Sequence, residues 1–172
     1  MNDKVVLVDT NDQPVAIMDK LEAHEKGLLH RAFSIFLFNS NKEFLLQKRA
    51  LNKYHSAGLW SNTCCSHPKP DEALIDAADR RLKEEMGLST DLSALYSFIY
   101  KVDFQNGLTE HELDHILTGF SDEVPLLNAD EADEWKYLSF EDLTQEVTQH
   151  PELFTEWFKM CYEQVFHLIN QK

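Results

Sequence analysis

The chain has 172 residues, of which 43% are hydrophobic and 27% are charged, and its formal net charge is −14 at pH 7. This length predicts a single domain, residues 1–172, with enough buried surface for a hydrophobic core. The composition excludes a disordered chain, the apolar runs are too short for a membrane span, and the acidic balance excludes a general nucleic-acid-binding protein. The acidic start argues against a signal peptide, and the odd number of cysteines argues against a set of disulfides. We therefore expect a cytoplasmic protein without disulfides.

Hydrophobic runs separated by short polar turns predict strands, and apolar residues at helical spacing predict helices between and after them. The alternation of the two favours a mixed sheet with helices packed on its faces. In chain order, the expected elements are strands 5–9 and 14–18, a polar helix-tolerant stretch over 19–31, strands 32–39 and 43–49, helix 71–87, strands 95–104, 112–120 and 135–139, and helices 140–148 and 151–169.

The helix over 71–87 is the most clearly predicted element. Asp71 precedes an apolar stripe at helical spacing and is the expected N-cap, and Gly87 is a natural end. The last helix carries aromatic residues on one face, which is typical of core packing. Cys161 in that helix is interpreted as a small buried hydrophobic residue.

Charge is spread unevenly along the chain. Residues 102–172 carry 3 basic and 16 acidic residues, whereas the stretch from Phe44 to Pro70 carries no acid at all. A basic island in an acidic protein is where a small anion would bind, although chance clustering on a solvated face explains it equally well. Positive charge near Cys65 would also favour the thiolate form of that residue. The basic residues of this stretch are Lys48, Arg49, Lys53 and Lys69.

Three acidic residues, Glu110, Glu112 and Asp114, alternate along a predicted strand, so their side chains project from one face. Carboxylates this close repel each other unless they are solvated or share a cation. Imidazoles together with carboxylates suit a divalent metal ion, although a single histidine is more often structural. The histidines that could join such a site are His24, His30 and His67.

Residues 80–88 read RRLKEEMGL and carry two acidic residues near the end of the predicted helix. Arg81 and Glu85 lie four apart, a spacing typical of surface ion pairs. Carboxylates on one helix turn can also hold Mg²⁺ against a diphosphate. With Glu72, this stretch resembles the Nudix motif GX5EX7REUXEEXGU, where U is aliphatic. The matching positions are Glu72, Arg80, Leu82, Glu84, Glu85, Gly87 and Leu88.

Two positions depart from that motif, since Ser66 stands at its first glycine and Arg81 at one of its glutamates. Losing a helix carboxylate disfavours pyrophosphate hydrolysis. Over residues 5–160 the chain instead resembles one branch of the Nudix superfamily, the type 1 isopentenyl-diphosphate isomerases. The resemblance rests on six blocks in the same order: 29–34, 48–68, 80–87, 109–115, 128–138 and 154–159.

This resemblance implies a Nudix-type three-layer α/β/α sandwich around a mixed β-sheet. It also implies a metal-dependent 1,3-proton shift, through a carbocation, that interconverts isopentenyl and dimethylallyl diphosphate in isoprenoid biosynthesis. In such isomerases Cys65 and Glu112 would carry the protons, Tyr100 would assist Glu112, and Trp157 would stabilise the cation through its aromatic face. Which of the two carriers protonates the substrate in the forward direction is left open.

The resemblance further implies two cations. The first, Mg²⁺ with Mn²⁺ or Zn²⁺ as alternatives, would be held jointly by His24, His30, His67, Glu110 and Glu112. A second Mg²⁺ would arrive with the diphosphate and be held by Glu85, while Arg49, Lys53 and Ser66 would bind the diphosphate itself. Arg81 and Lys69 are further candidates for that end, with a solvated face as the alternative. The histidines that match no ligand position, and that we interpret as structural or surface residues, are His55, His111, His115, His150 and His167.

Two other functions are compatible with the motif. One is a metal-dependent Nudix pyrophosphohydrolase, and the other is a catalytically silent Nudix-fold binding module. Arg81 disfavours the hydrolase, and the intact positions of the expected ligands and proton carriers disfavour the silent module. The expected partner is a small-molecule diphosphate, with no nucleic acid and no membrane, and the expected assembly is a monomer or a weak homodimer.

Overall fold

The computed structural model describes residues 3–171. Over these residues nine strands form one mixed sheet, accompanied by four α-helices and a short 3-10 helix over Pro151–Leu153. The strands are β1 (Lys4–Val8), β2 (Pro14–Asp19), β3 (His30–Phe38), β4 (Phe44–Arg49), β5 (Trp60–Ser61), β6 (Cys64–Ser66), β7 (Ser93–Asp103), β8 (Thr109–Phe120) and β9 (Ala132–Leu138). The helices are α1 (Lys20–Lys26), α2 (Leu74–Met86), α3 (Phe140–Gln149) and α4 (Glu156–Ile169).

Strand β3 is the centre of the sheet. It pairs in parallel with β8 along its whole length, with His30 opposite Glu112. It also pairs in antiparallel fashion with β6, where Ser34 lies opposite Cys65. Because β6 and β8 both pair with residues 33–35, they lie on opposite edges of β3. Two strands that are distant in sequence therefore flank the same central strand.

Alternate residues of β3 supply two different cores, as expected for a strand covered on both faces. Phe33, Ile35 and Leu37 pack with α2. Phe36 and Phe38 pack instead against the aromatic residues of α4. The sheet therefore lies between two helical layers, which confirms the expected three-layer α/β/α sandwich.

The predicted strands and helices are present with end shifts of at most three residues, except that the last helix begins at Glu156 and not at 151, because Pro151–Leu153 form a separate 3-10 helix. The short strands β5 and β6 were not predicted. The expected N-cap at Asp71 was wrong, because α2 begins at Leu74 and its capping position is Ala73, without a side-chain cap. Asp71 instead lies in a turn at φ +63°. The predicted end at Gly87 is confirmed by its left-handed backbone at φ +65°. Over residues 3–171 no helix is long and apolar enough to cross a membrane.

Two expectations for the cysteines, the absence of disulfides and the burial of Cys161, are confirmed over residues 3–171. Cys64, Cys65 and Cys161 are all free thiols. Cys161 is 1% exposed within the core that α4 builds, as its assignment as a small hydrophobic residue predicts.

Candidate active site

One pocket brings together most of the site residues predicted from the sequence. Its wall is built from residues of β3, β4, β6, β7 and β8, with contributions from α1, α2, α4 and the loop over 53–55. Two predicted residues, His24 and His30, are fully buried and do not line it. The predicted residues that do line it are Arg49, Lys53, Cys65, Ser66, His67, Glu85, Tyr100, Glu110, Glu112 and Trp157.

A compact cluster of possible metal ligands lies beside the pocket. One ligand atom from each of four residues falls within 4.8 Å of the others, and the four are His24, His30, His67 and Glu112. Helix α1 presents His24 on its buried face, and the pairing of β3 with β8 places His30 next to Glu112. The loop that leaves β6 adds His67, whose Nε2 is 2.9 Å from Glu112 Oε1.

Backbone carbonyls orient two of these rings. His24 Nδ1–H donates to the carbonyl of Lys20 at 2.7 Å, and His30 Nδ1–H donates to the carbonyl of Leu28 at 2.8 Å. Each Nε2 therefore carries the lone pair, which is the usual arrangement for a metal-binding histidine. Within residues 3–171, His24 Nε2 is buried without a hydrogen-bond partner. These residues fit a divalent cation.

The electrostatics of the cluster also suit a cation. Burial lowers the pKa of His24, and it lowers the pKa of His67 to about 3, so both rings are neutral as metal ligation requires. Burial opposes ionisation of Glu112, but contacts with His30 and His67 outweigh it and hold the pKa of that carboxyl well below its usual range. Burial and the neighbouring charge of Glu112 raise the pKa of Glu110 well above its usual range.

Glu110 lies next to the four-residue cluster and forms a second group with His24 and His55. Its Oε1 is 3.3 Å from His55 Nε2, and its Oε2 accepts a hydrogen bond from Tyr100 at 3.2 Å. Burial lowers the pKa of His55 to about 3, and its ring stacks on Phe104. His55 also lines the pocket, a position that no pattern in the sequence predicted.

The two expected proton carriers reach the pocket from different strands, Glu112 from β8 and Cys65 from β6. Glu112 Oε2 accepts a 2.6 Å hydrogen bond from Tyr100 Oη on β7. On β6, Cys65 Sγ donates to Asn62 Oδ1 at 3.5 Å. Burial raises the pKa of Cys65 to about 12, despite the opposing charge of Arg49. The expectation that nearby positive charge would favour the thiolate was therefore wrong, because desolvation has the larger effect.

Trp157 enters the pocket from α4 and is 2% exposed. Its Nε1–H donates to Asn62 Oδ1 at 3.2 Å, the same oxygen that Cys65 contacts. The guanidinium carbon of Arg49 lies 5.3 Å from the centre of the Trp157 ring. Trp157 therefore occupies a core position, as expected for an aromatic residue of α4, and it also forms part of the pocket wall.

One part of the pocket, the charged end, carries the linked ion pairs of Lys53, Glu131, Arg81 and Glu85. Four cations and four carboxylates line the pocket as a whole, so a bound diphosphate would add uncompensated negative charge. Lys20 and Glu131 are lining residues that no pattern in the sequence predicted. The pairs include Lys53 with Glu131, and Arg81 with Glu85 at 2.5 Å. The lining cations are Lys20, Arg49, Lys53 and Arg81, and the lining carboxylates are Glu85, Glu110, Glu112 and Glu131.

Several other predicted residues occupy different places. Lys69 lines only an outer cavity next to the pocket, whereas Arg81 and Ser66 line both. Asp114 shares the inward face of β8 as predicted, but its Oδ2 accepts from Ser34 Oγ at 2.8 Å and it does not line the pocket. His111 Nδ1 lies 3.0 Å from the carbonyl of Gly27. The remaining histidines, His115, His150 and His167, lie outside both candidate metal groups.

Comparisons with known folds place this architecture. The chain is similar to the crystal structure of DR0079 from Deinococcus radiodurans, with a TM-score of 0.71, 19% identity, and coverage of 86% of this chain and 90% of that one. It is also similar to a MutT protein from Methanosarcina mazei, with a TM-score of 0.67, 20% identity, and coverage of 84% and 96%. At this identity the likeness shows a shared fold.

Sequence comparisons are more specific. The NUDIX domain family matches residues 28–158. Isopentenyl-diphosphate Delta-isomerase 2 of Aromatoleum aromaticum is 50% identical over 165 residues, which covers 96% of this chain and 87% of that protein. Isopentenyl-diphosphate Delta-isomerase of Pectobacterium atrosepticum is 50% identical over 162 residues, with 94% and 90% covered. The chain therefore belongs to the type 1 isopentenyl-diphosphate Delta-isomerases of the Nudix superfamily.

Proposed function

We propose that the pocket interconverts isopentenyl and dimethylallyl diphosphate, with Cys65 and Glu112 as the proton carriers. The observation that carries this proposal is their placement: β6 and β8 flank opposite edges of β3, and both side chains line one pocket. A 1,3-proton shift needs two acid–base groups that reach different carbons of one substrate. The names of the relatives described above point to the same reaction.

The proposed reaction balances without any other reactant. One carrier adds a proton to the terminal carbon of the double bond, which leaves a tertiary cation on the branched carbon. The other carrier removes a proton from the carbon on the opposite side of the branched carbon, and the electrons of the broken C–H bond form the new double bond. In the reverse direction the carriers exchange roles. Tyr100, which hydrogen-bonds Glu112 Oε2, would hold that carboxylate in its productive orientation.

Trp157 would stabilise the cationic intermediate without reacting with it. An aromatic face attracts a cation through its quadrupole and offers no lone pair that could trap it. Water would convert the cation to an alcohol, so the pocket must exclude it. The near-complete burial of Trp157, at 2% exposure, supports such a dry wall.

We propose that the diphosphate binds at the charged end, where Arg49, Lys53 and Ser66 line the pocket and Lys20 and Arg81 add positive charge. Glu85 would hold a Mg²⁺ ion that arrives with the diphosphate. The other cation, Mg²⁺ with Mn²⁺ or Zn²⁺ as alternatives, would be held by His24, His30, His67, Glu110 and Glu112. Bound cations would supply the positive charge that the four lining carboxylates otherwise remove.

The proposed site takes residues from α1 through α4, so we also propose that the chain works as a single domain. The metal ligands begin in α1, the proton carriers lie on β6 and β8, and the cation-facing ring lies on α4. No subset of these elements would hold a complete site.

The test is an NMR assay of isopentenyl diphosphate with Mg²⁺ in D₂O. We expect dimethylallyl diphosphate to appear with deuterium incorporated, and we expect Cys65→Ala and Glu112→Gln each to reduce turnover at least about a hundredfold. Phosphate release without isomerisation would instead indicate the hydrolase. Binding without reaction would indicate the silent module.

Matched controls are available for both variants. Cys64→Ala removes the adjacent thiol, which is fully buried and does not line the pocket. Asp114→Asn changes a buried acid two residues from Glu112 on the same face of β8. We expect both controls to retain turnover within a few-fold. The proposal would be wrong if Cys65→Ala and Glu112→Gln behaved like their controls.

A further inference from the structure

One buried amide connects two residues of the proposed site. Asn62 lies between β5 and β6 and is 0% exposed. Its Oδ1 accepts hydrogen bonds from Trp157 Nε1 at 3.2 Å and from Cys65 Sγ at 3.5 Å. It also accepts from Ser61 Oγ at 2.9 Å. A proton carrier and a cation-facing ring, 92 positions apart in sequence, therefore share one acceptor atom.

The orientation of this amide is determined by its other end. Asn62 Nδ2 donates to the carbonyl of Ile35 at 3.1 Å and to the carbonyl of Cys64 at 2.8 Å. Rotating the amide by half a turn would point its N–H groups at the indole N–H of Trp157 and would aim Oδ1 at two carbonyls. Donor would then face donor and acceptor would face acceptor, around a side chain that is 0% exposed to solvent. The carbonyl end must therefore face Cys65 and Trp157.

The same contacts attach the amide to the central strand. Ile35 belongs to β3, whose edges carry β6 and β8. A thiol can occupy three staggered rotamers, and an indole ring without a bond at Nε1 can tilt about its side-chain torsions. An acceptor that is itself tied to β3 restricts both motions at once.

We propose that Asn62 is a positioning residue that holds the thiol of Cys65 and the indole of Trp157 in a fixed mutual arrangement. This inference rests on the function proposed above. Asn62 does not touch the substrate in this scheme, because it lies beneath the two side chains and is absent from the pocket lining. Its effect on the reaction passes through its neighbours, so it should alter turnover more than substrate affinity.

The first test replaces the amide by a side chain of similar shape, Asn62→Leu, and by the smaller Asn62→Ser. We expect kcat to fall about a hundredfold while KM changes less than about threefold, because the diphosphate contacts lie elsewhere. Thr63→Val is the matched control. Thr63 is adjacent and 0% exposed, and its hydroxyl bonds only backbone groups, donating to Leu45 at 2.7 Å and accepting from Leu37 at 2.9 Å. We expect this control to lower the melting temperature with kcat within about twofold.

A double-mutant cycle separates positioning from a general loss of packing. Trp157→Phe removes the indole N–H that Asn62 accepts, so Asn62→Leu should cost about tenfold or less in that background instead of about a hundredfold. Equal losses in both backgrounds would overturn the proposal. If Asn62→Leu fails to fold, the same cycle is measured with Asn62→Ser.

A second readout does not depend on turnover. In a Trp60→Phe/Trp135→Phe background Trp157 is the one remaining tryptophan, and loss of its Nε1 hydrogen bond should shift its fluorescence emission to shorter wavelength in Asn62→Leu but not in Thr63→Val. An unchanged emission would overturn the proposal. If Asn62→Leu shifts the emission while the wild-type chain does not isomerise the substrate, only the proposed function would be refuted.

Discussion

Arg81 Nη2 lies 2.5 Å from Glu85 Oε1 at the charged end of the pocket. The same nitrogen donates to Glu131 Oε1 at 2.9 Å, so one guanidinium joins two carboxylates. The general Nudix motif has a glutamate where Arg81 stands. At this position the chain therefore carries a cation that pairs with the carboxylate proposed to hold Mg²⁺.

Replacing Arg81 should affect the diphosphate more than the chemistry. We expect Arg81→Gln to raise KM for isopentenyl diphosphate about tenfold or more, because a charge-assisted contact is lost and Glu85 loses its partner. Steady-state kinetics at fixed Mg²⁺ would measure this change. Lys83→Gln is the control, since Lys83 is on the same helix but is exposed and pairs with Asp79. An unchanged KM in Arg81→Gln would count against a diphosphate at this end.

The hydrogen bond from Tyr100 to Glu112 should matter for turnover. We expect Tyr100→Phe to reduce kcat about tenfold to a hundredfold with little change in KM, because Glu112 loses a 2.6 Å donor that orients it. Tyr96→Phe is the control on the same strand. Tyr96 Oη is buried without a hydrogen-bond partner in the described chain, so this control should keep its activity and lose no stability. Similar kcat values for both variants would refute the role given to Tyr100.

The histidine cluster predicts a measurable metal site. We expect His24→Gln to bind a divalent cation at least about tenfold more weakly and to lose most of the thermal stabilisation that added metal gives the wild type. Metal analysis after dialysis and thermal unfolding with and without metal are the measurements. His111→Gln is the control, because His111 lies outside both ligand groups. Full metal occupancy in His24→Gln would contradict the proposed ligand set.

The salt bridge between Glu72 and Arg80 predicts an acid-sensitive contribution to stability. The bidentate contact with Arg80, at 2.7 and 2.8 Å, lowers the pKa of Glu72 from 4.5 to about 2. A lowered carboxyl pKa stabilises the fold above the unfolded-state pKa, and that stability disappears as pH falls through the folded-state pKa.

We therefore expect Glu72→Gln to unfold about 1 kcal/mol more easily than the wild type at pH 6, a value reduced for solvent screening. The difference should vanish between pH 4.5 and about pH 2. Urea unfolding across that range measures it, with the exposed Glu123→Gln as the control. A difference that stayed constant with pH would show that the effect does not come from ionisation of Glu72.

Much of the fold and part of the site follow from local sequence patterns. The alternation of Glu110, Glu112 and Asp114 predicts one inward face of β8, and the structure confirms it because a strand has no other way to orient these residues. Gly87 predicts the end of α2 because few other residues adopt its left-handed backbone. Such features depend only on neighbours within a few residues.

Other features depend on pairings that the sequence does not reveal. The parallel pairing of β3 with β8, which brings His30 to Glu112, joins residues 82 positions apart. Lys20 and Glu131 line the pocket from elements far apart in the chain, and His55 is a lone histidine in a loop without a recognisable pattern. The Cys65 thiolate was wrongly predicted for a related reason, because local charge is visible in the sequence and burial is not.

The central position of β3 has a consequence for the distance between the two proposed proton carriers. Hydrogen-bonded strands lie about 4.8 Å apart, so β6 and β8 are separated by about 10 Å across β3. This separation is set by backbone geometry, and substitutions of side chains on β6 or β8 leave it unchanged. Cys65 lies opposite Ser34 of β3 and Glu112 lies opposite His30, so the two residues are also offset by four positions along β3. A substrate that reaches both side chains must therefore lie across β3, and a substitution elsewhere in the pocket would not shorten the backbone distance that it has to bridge.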